Sequence, residues 1–147
     1  MWLVKRWCIK SLHTCRKKTC VSRGDYVEIP ILKLKNILLT SIQSDMNDDD
    51  ALKYQSDVMS TLEKSGAKGL VIDITAMDII DSFMARVINE TARMARLMGA
   101  RVVLCGMQPM VALTLVEMGR ELIGVDTALN LDKGFDKLVK MFNEGVD

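Results

Sequence analysis

One histidine, His13, occurs in the 147 residues, and it lies within the first 23. No Ser-His or Cys-His nucleophile pair can therefore form in the remainder. No strand-like run leads into G-x-x-x-x-G-K-[ST] or G-x-G-x-x-G, so both phosphate-cradling loops are missing as well. No uninterrupted apolar stretch approaches the roughly 18 residues that cross a bilayer, because Asp73, Asp78, Asp81 and Arg86 break up the most apolar part. These absences predict a soluble, non-enzymatic chain with no membrane contact and no cofactor.

Acidic residues are absent from 1–23, which carry seven basic ones. Residues 24–147 hold the other 13 basic residues against 19 acidic, a net of −6. A negative globular part is a poor binder of phosphate backbones, which argues against a nucleic-acid partner for the folded domain. Three of the four cysteines (Cys8, Cys15, Cys20) fall in the basic segment, leaving Cys105 alone in an apolar strand-like run. One core cysteine cannot build a disulfide framework, and a reducing, cytoplasmic compartment is expected.

The segment 1–23 admits four readings. A secretory signal needs a continuous apolar stretch, but Lys5, Arg6 and Lys10 interrupt Trp2, Leu3, Val4, Trp7 and Ile9. A zinc site from Cys8, His13, Cys15 and Cys20 would have the spacing C-x4-H-x-C-x4-C, without the paired short knuckles of structural zinc sites. A basic membrane-surface anchor would use the two tryptophans. A poorly ordered extension, or a start placed too far upstream, fits the lack of periodicity best. The expected organisation is a basic, cysteine-containing extension over 1–23 and one folded domain over 24–147, with no metal site.

Past Gly24 the pattern becomes regular. Two β-rich runs, 26–34 and 36–42, separated by Lys35-Asn36, read as a hairpin, and Pro30 assigns the first to an edge or a bulge. From Asp45 to Gly66 the pattern is helical: Asp48, Asp49 and Asp50 suit the positive end of the dipole, and Leu52, Met59 and Leu62 with Ala51 and Val58 supply the buried side. Gly66-Ala67-Lys68-Gly69-Leu70-Val71-Ile72 is then echoed by Gly99-Ala100-Arg101-Val102-Val103-Leu104. A helix-ending glycine followed at once by a buried strand is the syntax of successive βα units on a parallel sheet.

Between the two copies a helix is expected from Phe83 to Met98, with Met84, Val87, Ile88, Thr91, Ala92, Ala95 and Met98 facing the core. Pro109 opens a third helix that stops at Gly119, and a short strand follows near Ile123 to Thr127. Leu131, Phe135, Leu138, Val139 and Phe142 give a last helix its core stripe, with Asn130 as its cap. The order β-β-α-β-α-β-α-β-α defines an α/β domain with a mixed, mostly parallel sheet and about four helices.

The residues with chemical potential lie in the loop from Asp73 to Phe83, at the carboxyl end of a parallel strand, where open α/β sheets place functional groups. Asp73, Asp78 and Asp81 lack the glycine turn and ligand spacing of a magnesium or calcium loop, and helix capping explains them more simply. Ser82 reads locally as the N-cap of the helix beginning at Phe83, in a capping box left incomplete by Ala85. Ile79, Ile80, Phe83 and Met84 place apolar side chains on an expected surface rim, which suits a protein partner.

Asp81-Ser82-Phe83-Met84-Ala85-Arg86, with Val71-Ile72-Asp73-Ile74 before it and Leu97-Met98-Gly99-Ala100 and Gly106-Met107-Gln108-Pro109 after it, resembles the STAS family of anti-sigma-factor antagonists. Within that family it is similar to the RsbS-type stressosome scaffold proteins. The resemblance spans about residues 26–142. It implies a non-catalytic STAS domain in which Ser82 is phosphorylated by a partner serine kinase of the GHKL type. It also implies kinase contacts at Asp78, Ile79, Ile80, Asp81, Phe83 and Arg86, sensor-bearing STAS paralogues in a large assembly, and a PPM-type phosphatase that resets the serine. Two other readings stay open: a stand-alone antagonist that binds its kinase one to one, and a ligand-binding STAS module of a transport system.

Overall fold

Segments of three to five residues, most apolar in the central ones, form the strands, and longer runs with helical spacing join them. The chain, described by a computed structural model over residues 29–119, 122 and 124–144, runs β1 Ile31–Leu34, β2 Ile37–Ser41, α1 Asp48–Ser65, β3 Gly69–Asp73, α2 Ser82–Leu97, β4 Arg101–Cys105, α3 Pro109–Glu117, β5 Asp126–Ala128 and α4 Leu131–Asn143. This is the expected order. The segment 1–23, with Cys8, His13, Cys15 and Cys20, lies outside the described residues, as do Tyr26 to Glu28 of the first expected strand and Ile123.

The five strands form one sheet in sequence order, with β1 antiparallel to β2 and the other three pairings parallel. Each parallel crossover steps to the next strand in the same direction, so crossovers of one hand put their helices on one face. Leu38, Ile42, Leu70, Ile72, Ile74, Val102 and Leu104 accordingly pack with α1, α2 and α3. The alternate strand positions Ile37, Val71, Val103 and Cys105 meet Leu138 of α4 on the other face.

Glycine at position 134 lets α4 approach the sheet. A Cβ there would stand 2.7 Å from Cys105 Sγ and 3.4 Å from methyl carbons of Val71 and Val103. The cysteine beneath it is buried and free. Burial, and secondarily the Asp73 carboxylate, push its thiol up to about 12, which keeps it protonated and unreactive near neutral pH.

The helix ends follow local chemistry. Asn47 caps α1 by accepting from the Asp50 amide at 2.9 Å, and the Asp50 carboxylate accepts from the Asn47 amide at 3.4 Å. Gly66, at φ 60°, closes the same helix, and its amide donates to the Leu62 carbonyl. Asn130 caps α4 by accepting from the Lys133 amide. Between α1 and α2, the buried Thr91 hydroxyl donates to the Val87 carbonyl at 2.7 Å and accepts from Gln55 at 3.3 Å.

Three expected core positions are at the surface instead. Leu52 is 47% exposed, because Ala51, Tyr54, Val58 and Leu62 set the buried face of α1 and Leu52 stands a residue off that stripe. Met98 is also 47% exposed, since α2 ends at Leu97 and Met98 only caps it. Leu131 begins α4 beyond the edge of its cluster, whereas Phe135, Val139 and Phe142 pack against it as expected. The last strand, Asp126–Ala128, starts later than the run near Ile123 suggested.

Two substitutions test this packing. Lys35, the first residue of the two-residue hairpin turn, takes φ 56°, a conformation that costs an L residue about 1–2 kcal/mol and glycine almost nothing. Lys35→Gly should raise the unfolding free energy by about 0.5–1 kcal/mol in urea titrations, after the entropy cost of glycine. Gly134→Ala would gain about 1 kcal/mol of helix propensity in an open helix. Against Cys105 it should instead destabilise, by about 1–3 kcal/mol of overpacking, and Cys105→Ala in the same chain should restore most of the loss.

Candidate functional site

The segment between β3 and α2 is anchored at intervals of three residues. Ile74, Met77 and Ile80 are buried, while Thr75, Ala76, Asp78 and Ile79 between them are exposed. The Ile74 amide donates to the Cys105 carbonyl at 2.9 Å and the Met77 amide to the Ile74 carbonyl at 3.0 Å. Asp73 Oδ1 accepts from the Thr75 amide at 3.0 Å and the Thr75 hydroxyl at 2.5 Å.

A second turn locks this one in place. Gly106, at φ 73°, lies so close that a Cβ would stand 2.9 Å from both Asp73 Oδ1 and Thr75 Cβ. Gln108, the N-cap residue of α3, extends its amide across the gap and donates to Asp78 Oδ1 at 2.7 Å and to the Thr75 carbonyl at 3.2 Å. The β3–α2 loop is thereby tied to the start of α3.

Asp81, not Ser82, caps α2. Its backbone is extended, its carbonyl accepts the first helical bond from Ala85 at 3.0 Å, and its Oδ1 accepts from the Met84 amide at 2.7 Å. Two good capping residues stand side by side in the sequence, and the extended backbone selects the first. Ser82 becomes the first helical residue. It is exposed, and its hydroxyl makes no side-chain hydrogen bond among the described residues.

The residues expected around Ser82 separate into two groups. Ile79 is 84% exposed, but Ile80 is 3% exposed and belongs to the core, so it cannot touch a partner. Phe83 is half-buried against the main core. Arg86 lies over the Phe83 ring, 5.6 Å from its centroid, and its Nε is 3.7 Å from Glu90 Oε1. Asp78 and Asp81 are at the surface with the bonds already described. Among the described residues no cluster of three or more His, Cys, Asp or Glu side chains could hold a metal ion.

Sequence reasoning did not find Thr75, Gly106 or Gln108 as organisers of this loop. Their partners are two to thirty-three residues away, and no local periodicity signals such pairs. It also gave no notice of the outer face of α3, where Met110, Leu113 and Val116 are exposed at helical spacing. No helix among the described residues is long and apolar enough to cross a membrane.

The family model of the STAS domain matches residues 28–133, which span the sheet and the loop just described. The chain belongs to the STAS-domain family. It is similar to a serine-to-glutamate variant of RsbS from Moorella thermoacetica, with 40% identity and a TM-score of 0.72 over 78% of this chain and 97% of that one. A chain from the molecular architecture of the stressosome, a signal integration and transduction hub, is 42% identical with a TM-score of 0.71, covering 77% and 98%. The RsbT co-antagonist protein RsbRA of Bacillus subtilis is 27% identical over 113 residues. This chain spans 40% of that protein's length, and the match takes in 77% of this chain.

The two capping candidates can be told apart by stability. Asp81→Ala should lower the unfolding free energy by about 0.5–2 kcal/mol through loss of the cap. Ser82→Ala should change it by less than about 0.5 kcal/mol, as expected of an exposed residue with no side-chain hydrogen bond among the described residues. Paired urea or thermal melts of the two variants measure the difference.

Proposed function

We propose that this chain is a non-catalytic, cytoplasmic scaffold of a bacterial stressosome that retains a GHKL-type serine kinase until that kinase phosphorylates Ser82. The observation that carries this reading is the exposed Ser82 hydroxyl at the first position of α2, without a hydrogen bond among the described residues, with the exposed Ile79 three residues before it. The contact surface for the kinase comprises Asp78, Ile79, Asp81, Phe83 and Arg86, without the buried Ile80. The likeness at 40–42% identity to RsbS and to a stressosome chain supports co-assembly with sensor-bearing STAS paralogues. The exposed Met110, Leu113 and Val116 offer apolar surface of the kind that assemblies bury.

The chemistry is a phosphoryl transfer. The Ser82 oxygen bonds to the γ-phosphorus of ATP, the bond to the β-phosphate oxygen breaks, ADP leaves and the hydroxyl proton is lost. The product carries about −1.5 to −2 charges at a helix N-terminus, where the dipole tolerates them. The same charge arrives beside Asp78, Ile79 and Asp81, so the fold survives while the contact surface becomes more negative and more polar. A PPM-type phosphatase then restores the hydroxyl.

Incubation with the kinase and ATP should label Ser82 alone, as read by phosphopeptide mapping. Ser82→Ala should stay folded and keep the kinase bound, and Ser82→Asp should release it in part, because one carboxylate supplies less charge than a phosphate. Label at another residue, or kinase retention unchanged after complete modification of Ser82, would overturn the reading. Native mass measurement separates the assembly, far larger than a dimer, from a one-to-one complex.

A further inference from the structure

Arg86 stands four residues after Ser82, one turn along α2, the spacing at which two side chains share a helix face. An anion placed four residues before a cation is also the favourable order. Helical side chains lean toward the N-terminus, and the guanidinium of Arg86 does so, lying over the ring of Phe83, the residue next to Ser82. Its ion pair is loose: Nε to Glu90 Oε1 is 3.7 Å, with both side chains about half exposed. Pairs of this kind hold an arginine weakly. The carboxylates near Ser82 have other work, since Asp81 takes the Met84 amide and Asp78 takes the Gln108 amide.

We propose that Arg86 reads the modification: with a phosphate on Ser82, the guanidinium leaves Glu90 and pairs with the phosphate across one turn of α2. The proposal rests on Ser82 being the acceptor. A phosphate dianion outcompetes the half-exposed Glu90 carboxylate, because it offers more charge and can take two parallel N–H donors where Glu90 now meets only Nε at 3.7 Å. Before modification the Arg86 side chain is about half exposed over the Phe83 ring, held only by the loose Glu90 contact, and is open to a carboxylate on the kinase. Afterwards its donors are turned inward. The kinase then meets new negative charge and loses its arginine contact in the same event. Lysine at position 86 would supply charge without the fork and would do the task in part.

The test uses the full chain with phosphoserine introduced at position 82 during translation, so that no kinase is required. The second ionisation of the phosphate, near pH 6 in a free phosphoserine, is followed by phosphorus NMR. In the chain with Arg86 the midpoint should lie lower than in Arg86→Gln by roughly 0.3 units, with Arg86→Lys between the two. Glu90→Gln, which removes the competitor, should lie at or below the parent. Equal midpoints with Arg86 and with Arg86→Gln would overturn the proposal. Thermal melts of the same pair, with and without the phosphate, supply a second readout. Arg86→Gln should cost more melting temperature in the phosphorylated chain, and equal costs would mean a structural role alone. Failure of the kinase to label Ser82 would count against the proposed function and leave these readings intact, whereas unchanged midpoints would count against Arg86 only.

Discussion

A single hydrogen bond, from the Met84 amide to the Asp81 carboxylate, decides how the rim of this domain is used. By taking the cap, Asp81 starts α2 one residue earlier than a serine cap would and turns Ser82 into a helical surface residue. A capping serine keeps its oxygen engaged with a backbone amide. Here that engagement falls to a carboxylate, and the hydroxyl next to it stays uncommitted among the described residues, at a fixed position on a helix. Sites carried by helix ends are placed more accurately than sites on loops.

The surroundings make that position dependable. Parallel pairing of β3 with β4 sets Asp73 against Cys105, and the buried side chains of Ile74, Met77 and Ile80 peg the next seven residues to the core. Gln108 bonds the loop to α3, while Gly106 allows the two turns to touch. On the far side, α4 rests on the same two strands through Gly134. The exposed residues are thus displayed between anchors, and a change in their charge can alter the surface with little consequence for the core.

Most of the architecture was legible in the sequence because it depends on local signals. The repeated glycine-plus-strand unit marked the parallel core, Pro109 and Gly66 marked helix ends, and Asn130 marked a cap; all are where they were expected. The failures have a shared cause. Leu52 and Met98 were assigned by hydrophobicity, but a helix buries only one stripe and ends where its capping bonds end. Ile79 and Ile80 are chemically identical neighbours, and only the direction of the chain exposes one and buries the other. The Asp81–Ser82 choice turned on a backbone angle, and Gln108 on an approach between segments thirty residues apart. Such features belong to tertiary structure and leave no periodic trace.

The antiparallel placement of β1 has a further consequence for how this domain is joined to other things. Because Ile31 pairs with Thr40, β1 begins at the carboxyl ends of the parallel strands, on the rim that carries Ser82. Helix α4 runs the other way: Phe142, near its end, lies against Gly69, the first residue of β3. A fluorophore attached at Ile29 is therefore delivered to the rim that carries Ser82, close enough to report on changes there. One attached at Glu144 sits toward the opposite rim and leaves the surroundings of Ser82 clear.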